Sequence, residues 1–195
     1  MRTVGLLVLI ALAVNPLVAD QEAGPSGQAA GDRDSAIAHW TPLAEKGNAD
    51  AQYQLGMAYY GAPGEPPDYP QAATWLQKAA EQGHAEAQYK LATMYMTSKV
   101  GPKDVHKAAE WYLKSAELGN SEAQYSIGFL YSRGAGVPKD NLLSYMWLFL
   151  SAEQGNPRGI SNLKGAEHKL TPDQIVQAKA MAEQWKASAQ SPVDP

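Results

Sequence analysis

Apolar residues recur along this chain at helical intervals, and the whole pattern then recurs. In DYPQAATWLQKAAEQ (68–82), Ala72, Trp75, Leu76, Ala79 and Ala80 fall at i, i+3, i+4, i+7 and i+8. That spacing gives one apolar face and predicts an amphipathic helix. Gly83 follows, where a helix end wants a left-handed residue. In AEAQYKLATMY (85–95), Ala87, Leu91 and Tyr95 share one face, and Glu86 sits in the first turn, where the helix dipole favours it. A loop with glycine and proline (GAPGEPP, SKVGP or RGAGVP) closes each of the first three units.

The unit is periodic. Gly47, Gly83, Gly119 and Gly155 lie 36 residues apart, and so do Asp32, Asp68, Asp104 and Asp140, and Ala44, Ala80, Ala116 and Ala152. A fixed period in this range marks a solenoid whose units stack only on their neighbours. The expected units are 32–67, 68–103, 104–139 and 140–170. Pro42 falls inside the first helix and predicts a kinked or shortened one. The fourth unit degrades in its second helix, where Gly159, Lys164 and Glu167 replace Ala, Gly/Ala and Tyr. Thr171, Pro172 and Gln174 then read as N-cap, N1 and N3 of a capping box. The helix they open, 171–187, places Ile175, Ala178, Ala182 and Trp185 on one face and is expected to cap the array's exposed stacking surface. Residues 188–195 read as a frayed tail.

Composition narrows the setting. Residues 1–19 combine Arg2, an uncharged run from Val4 to Val14 and the break Asn15-Pro16, which predicts a secretory signal cut after Ala19. Eleven apolar residues are too few to span a bilayer, so no stable membrane insertion is expected after cleavage. Residues 20–31 are small, polar and glycine-rich, as a flexible linker would be. A net charge of −4 gives no electrostatic footprint for nucleic acid. Cysteine is absent, which removes disulfides, thiolate metal sites and a cysteine nucleophile.

The stretch AAEQGHAEAQYKL (79–91) resembles the Sel-1-like repeats, relatives of the tetratricopeptide repeats. The family's pattern falls on Ala80, Glu81, Gly83, Ala87, Gln88, Tyr89, Leu91, Tyr95, Asp104, Ala108 and Trp111, and the third copy adds Gly128, Tyr131 and GAGVPKD (134–140). The resemblance covers about 32–187. It implies an all-α, right-handed solenoid of about four helix-turn-helix repeats plus a C-terminal capping helix. It also implies a non-catalytic adaptor that binds a protein or peptide on its inner curve, in the periplasm of a Gram-negative bacterium or secreted. A monomer without cofactor is expected. A cysteine-rich branch of the family binds β-lactams, but this chain lacks its cysteines; a protein that binds or slowly hydrolyses cell-wall or β-lactam material is the alternative.

The residues suited to chemistry read as structure. His84 stands where the other turns have Asn48, Asn120 and Asn156, which predicts a cap; His39, His106 and His168 form no ligand spacing. Ser161 and Lys164 make a Ser-x-x-Lys, but the Ser-Asp-Asn and Lys-Thr-Gly partners of that chemistry do not occur. Trp75, Trp111 and Trp147 recur on the alanine-rich face and are expected to pack between helices. Glu45, Glu81, Glu117 and Glu153 recur at equivalent places and read as structural.

Positions that differ between copies are the ones the repeat does not dictate. Gln71, Thr74 and Lys78, then Lys107, Glu110 and Lys114, then Leu143, Met146 and Leu150 form such a stripe on the first helices. It turns from polar to apolar along the array. Either the C-terminal helix covers the apolar end, or a partner docks there. These nine residues are the candidate partner-binding positions.

Overall fold

The computed structural model describes residues 30–61 and 66–190. The expected leader, most of the expected linker and residues 191–195 lie outside the described residues. Nine helices make up the regular structure among the described residues: α1 Ala30–Glu45, α2 Ala49–Tyr60, α3 Tyr69–Glu81, α4 Ala85–Met96, α5 Val105–Glu117, α6 Ser121–Arg133, α7 Asn141–Glu153, α8 Pro157–Glu167 and α9 Pro172–Gln190. The first eight form four pairs. Helix α1 thus begins two residues inside the expected linker, and α9 runs three residues into the expected tail.

One turn is used four times. The glycines at 47, 83, 119 and 155 have φ of 91, 86, 88 and 79°, a region open to glycine and strained for other residues. Each glycine N–H donates to the carbonyl three residues back, and the next N–H reaches five back; Gly83 to Ala80 is 3.0 Å and His84 to Ala79 is 3.1 Å. This is the Schellman closure. The residue after the glycine then caps the next helix. Asn48 accepts from the Ala51 N–H at 2.8 Å, His84 Nδ1 from Ala87 at 3.2 Å, and Asn120 from Ala123 at 2.8 Å. One residue therefore ends one helix and starts another, which fixes the angle of each pair. His84 is a cap, as expected from its neighbours.

Consecutive helices pack most extensively across the loops, α2 on α3, α4 on α5 and α6 on α7. Small residues permit the approach: a Cβ on Gly56 would lie 2.8 Å from Leu76 Cγ, and one on Gly128 would lie 3.0 Å from Leu148 Cγ. Buried glutamines tie the helices within each pair and, at two places, link a pair to the next. The Nε2 groups of Gln52, Gln88 and Gln124 donate to the carbonyls of Ala44, Ala80 and Ala116 at 3.0, 2.9 and 3.3 Å. Gln82 and Gln154 of the following repeats donate to Gln52 Oε1 and Gln124 Oε1 at 2.6 and 2.8 Å. Ser115 and Ser151 donate to the Ala85 and Ser121 carbonyls, each at 2.7 Å.

Two expectations are corrected. Pro42 does not shorten α1, which spans 16 residues and runs past it to Glu45. Proline lies in the last turn, where the Thr41 hydroxyl donates to the Ile37 carbonyl at 2.6 Å and the Schellman bonds of Gly47 and Asn48 close the end. Helix α9 opens on the expected capping box, with Thr171 N–H donating to Gln174 Oε1 at 2.9 Å and Gln174 N–H to Thr171 Oγ1 at 3.3 Å. It does not, however, extend the stack beyond α8; it folds back onto α7. The stacking surface of α8 departs from the repeat instead. Lys164 stands where Gly56, Ala92 and Gly128 admit the next helix, and Ile160, in place of the pinning glutamine, is 54% exposed.

Candidate partner-binding surface

The structure separates the nine stripe residues into two groups. Gln71, Thr74 and Lys78 on α3 and Lys107, Glu110 and Lys114 on α5 are exposed. Lys78 Nζ lies 4.0 Å from the Trp75 ring centroid and Lys114 Nζ 4.3 Å from that of Trp111. On α7 the same positions are taken up by the fold: Leu143 is half-buried, Met146 is 5% exposed and Leu150 3%. Helix α9 is the reason, because only α7 among the odd-numbered helices has it alongside. Met146, Trp147 and Leu150 share a core with Ala178 and Ala182 of α9, with Ile175 and Trp185 packed against it. Trp147 and Trp185 meet edge to face at 5.6 Å, and Lys186 pairs with Glu153 at 3.0 Å. The apolar end of the stripe is thus an internal seam. The expectation that Leu143, Met146 and Leu150 receive a partner is corrected.

The stripe does not line the inner curve either. In an array of pairs, the helices on the inner side come closest to one another. Among the described residues α6 packs against α8, whereas α3, α5 and α7 form no comparable contact with one another. Arg158 on α8 places its guanidinium 4.9 Å from the Tyr125 ring of α6, and its Nη2 lies 3.4 Å from the Tyr89 hydroxyl of α4, two repeats away. Helices α4, α6 and α8 therefore lie on the inner side at this end of the array, and the stripe residues of α3 and α5 take no part in these contacts.

Rows with the 36-residue period build that inner surface. Tyr53, Tyr89 and Tyr125 form one row, and Asp50, Glu86, Glu122 and Arg158 another. The acids bind the following repeat. His84 Nε2 lies 3.3 Å from Asp50 Oδ1, with its ring stacked on Tyr53 at 4.6 Å; Asn120 Nδ2 donates to Glu86 at 2.7 Å; and Arg158 pairs with Glu122. Between the rows lie residues with no counterpart in the other repeats. Tyr112 replaces Leu76 and Leu148, and its hydroxyl lies 3.2 Å from Thr93 Oγ1, where the other repeats have Met57 and Phe129. Burial pushes the Tyr112 phenol above its ordinary value, with hydrogen bonds from Thr93 and Ser126 acting in the opposite sense. Partial burial works against the Arg158 cation, but the Tyr89 hydroxyl and the Glu122 carboxylate hold its pKa above the ordinary value. Thr93 and Arg158 escape a comparison of copies confined to the first helix of each pair, and Tyr112 escapes because it sits at a core position of such a helix and not on its exposed stripe. Applied to the second helix, the comparison marks Thr93 and the charge reversal at Arg158.

The remaining candidates lie apart. Ser161 and Lys164 are exposed on α8; His106 Nδ1 is 3.2 Å from the Gly136 carbonyl; His39 packs edge-on against Trp40 at 4.5 Å. Among the described residues no group of three or more histidines and carboxylates is placed to hold a metal ion, and no helix is long and apolar enough to cross a membrane.

Helix pairs stacked through repeated turns define an all-α solenoid. The Sel1 repeat profile matches residues 49–84, 85–120 and 121–156, and the chain belongs to this family. Each matched unit runs from an even-numbered helix through the odd-numbered helix packed on it, the same period in another phase. No curated protein matches the sequence. Among solved structures, a protective antigen of uropathogenic Escherichia coli with an SLR fold is similar at 32% identity and TM-score 0.72, over 84% of this chain and 38% of that one. This chain thus spans under two fifths of that protein. A Sel1 repeat protein from Oxalobacter formigenes is similar at 33% identity and TM-score 0.61, over 68% of this chain and 98% of its own. Cysteine-rich protein B of Helicobacter pylori shares the fold at 20% identity and TM-score 0.54, over 69% of this chain and 97% of its own.

Proposed function

We propose that the protein is a non-catalytic adaptor of the bacterial cell envelope, exported by residues 1–19 to the periplasm, and that it holds a protein or peptide on the surface lined by α2, α4, α6 and α8. Sel1 repeats are protein-interaction scaffolds, which sets the class. The observation that supports the location is the half-buried row of Tyr53, Tyr89 and Tyr125, aromatic surface that the inner curve leaves partly open to solvent.

The experiment is affinity capture from a native envelope extract. It compares the wild type with Tyr89→Ser/Tyr125→Ser on the inner surface and Lys78→Glu/Lys114→Glu on the outer stripe, each checked for helicity. A partner kept by the stripe variant and lost by the inner variant is the expected result. The opposite pattern overturns the placement. Osmotic-shock fractionation tests the periplasmic location, and retention in the cytoplasmic fraction would refute it.

A further inference from the structure

At the junction of α2 and α3 the chain gathers residues that the later repeats lack. Tyr60 has Met96 and Ser132 at its equivalent places, Tyr69 has Val105 and Asn141, and Lys90 has Gln54 and Ser126. Lys99, in the loop after α4, stands where the next loop has Ala135. The Tyr60 and Tyr69 rings meet at 5.5 Å with an interplanar angle of 65°, and Lys99 Nζ lies 4.2 and 4.7 Å from their centroids. Lys90 Nζ approaches the Tyr60 ring from α4 at 5.7 Å. All four residues are half-buried, so each keeps a part in solvent. Packing alone does not call for them, since Met96, Val105 and Ala135 serve the next junction with aliphatic surface.

The cluster is rich in donors and its positive charge is not cancelled. An ammonium only donates, so Lys99 gives an N–H to the Tyr60 oxygen and leaves the Tyr60 O–H free to point outward. Burial works against the Lys99 cation, but hydrogen bonds to Tyr60 and Tyr69 hold its pKa above the ordinary value. Among the described residues neither Lys90 nor Lys99 pairs with a carboxylate. The acids on the same two helices are engaged elsewhere: Asp68 accepts from the Gln71 N–H at 3.0 Å and Glu86 from Asn120 at 2.7 Å. From this arrangement we propose that Lys90, Lys99 and the Tyr60 hydroxyl form a site for a phosphate monoester, with the Tyr60 and Tyr69 rings beside it for the group that carries the phosphate. Two unpaired ammoniums favour a doubly charged anion over a singly charged one. The chain's own ammonium fills the space against both rings, which leaves no room there for a cationic ligand. The site uses none of the residues named for the inner surface and stands apart from the adaptor reading.

The test is calorimetric titration of the full chain with phenyl phosphate, a monoester, and with methyl phenyl phosphate, the corresponding diester. Saturable binding of the monoester, at least about tenfold tighter than the diester and weakened about tenfold by Lys90→Gln and by Lys99→Gln, is the expected outcome. Lys90 lies against the ring from the surface of α4, so Lys90→Gln reads the site without disturbing the loop that carries Lys99. Tyr60→Phe keeps the ring and should weaken binding with an unchanged melting curve. Glucose 6-phosphate, and phosphatidylcholine vesicles containing phosphatidic acid, distinguish a soluble from a lipid-borne phosphate, and the tighter of the two names the source. Equal affinity for monoester and diester overturns the assignment to a doubly charged phosphate. Absence of saturable binding, or binding indifferent to both lysine substitutions, overturns the site and leaves the adaptor reading untouched.

Discussion

The side-chain oxygen of Gln88 is buried without a hydrogen-bond partner, and Leu118 occupies the position that supplies the donor to its counterparts in the flanking repeats. Gln52 receives Gln82 at 2.6 Å and Gln124 receives Gln154 at 2.8 Å, so two junctions are closed and the middle one is open. Leu118 is 54% exposed, and replacing it forfeits little apolar burial. Leu118→Gln is therefore expected to stabilise the fold by about 1 kcal/mol, since satisfying a buried acceptor is worth that order. Urea unfolding would show a higher midpoint with an unchanged slope, and an unmoved midpoint would refute the account of this junction.

Glycine at the helix crossings sets a second prediction. A Cβ on Gly128 would meet Leu148 Cγ at 3.0 Å and the Ser144 carbonyl oxygen at 3.1 Å, and the carbonyl belongs to a helix backbone. Gly128→Ala is expected to destabilise by about 1–3 kcal/mol through overpacking. Ala92 already fills the equivalent place between α4 and α5, so Ala92→Gly tests the converse, a small loss from the missing methyl and the freer backbone. Denaturation of both variants distinguishes a steric cost particular to α6–α7 from a general demand for small residues.

The turns, the pairs and the period were legible because each rests on local chemistry. Gly83 with His84, and Thr171 with Gln174, specify their geometry within a few residues. The destination of α9 was not, because its apolar face fits any apolar surface. Only the three-dimensional proximity of Met146 and Leu150 selects α7 over the end of α8. The residues of the inner surface were not legible for a related reason. Curvature follows from which helices approach most closely, and the periodicity of one helix is silent on that. The Arg158–Tyr89 approach spans 69 residues, beyond any local pattern.

His84 differs from the other three turn caps in chemistry but not in role. Its Nδ1 accepts the Ala87 N–H at 3.2 Å. Removing the acceptor in His84→Ala is expected to cost about 1 kcal/mol, whereas His84→Asn restores the residue used at 48, 120 and 156 and should retain stability. Thermal melts of the pair check this. Equal losses in both would place the contribution in the stacking on Tyr53 and the Asp50 contact.

Alkaline pH should weaken the fold. Burial raises the phenol pKa of Tyr53, Tyr112, Tyr131 and Tyr145, with Glu86, Asp140 and Glu167 adding to the effect at Tyr53, Tyr131 and Tyr145 respectively. A phenol whose pKa is higher folded than unfolded contributes stability that is complete below the ordinary value of 10.0 and is lost as pH climbs through the raised one. The urea midpoint is expected to fall above about pH 10, together with tyrosinate absorbance that titrates late. Phenols that all titrate normally in the folded protein would contradict this.

Helix α9 gives the clearest contrast between equivalent positions. Leu150 and Lys114 stand 36 residues apart at one place in the repeat, Leu150 buried against the core shared with α9 and Lys114 exposed over Trp111. Aspartate at 114 loses a surface cation–π contact and should cost no more than about 1 kcal/mol. Aspartate at 150 places an unpaired carboxylate in that core and should cost several kcal/mol, enough to release α9. Release would expose Trp185 and Trp147, whose rings now meet at 5.6 Å, so tryptophan fluorescence should shift to the red in Leu150→Asp and stay unchanged in Lys114→Asp. If both variants keep the wild-type spectrum and melting midpoint, α9 does not seal the stripe, and Met146 and Leu150 return as candidates for a partner.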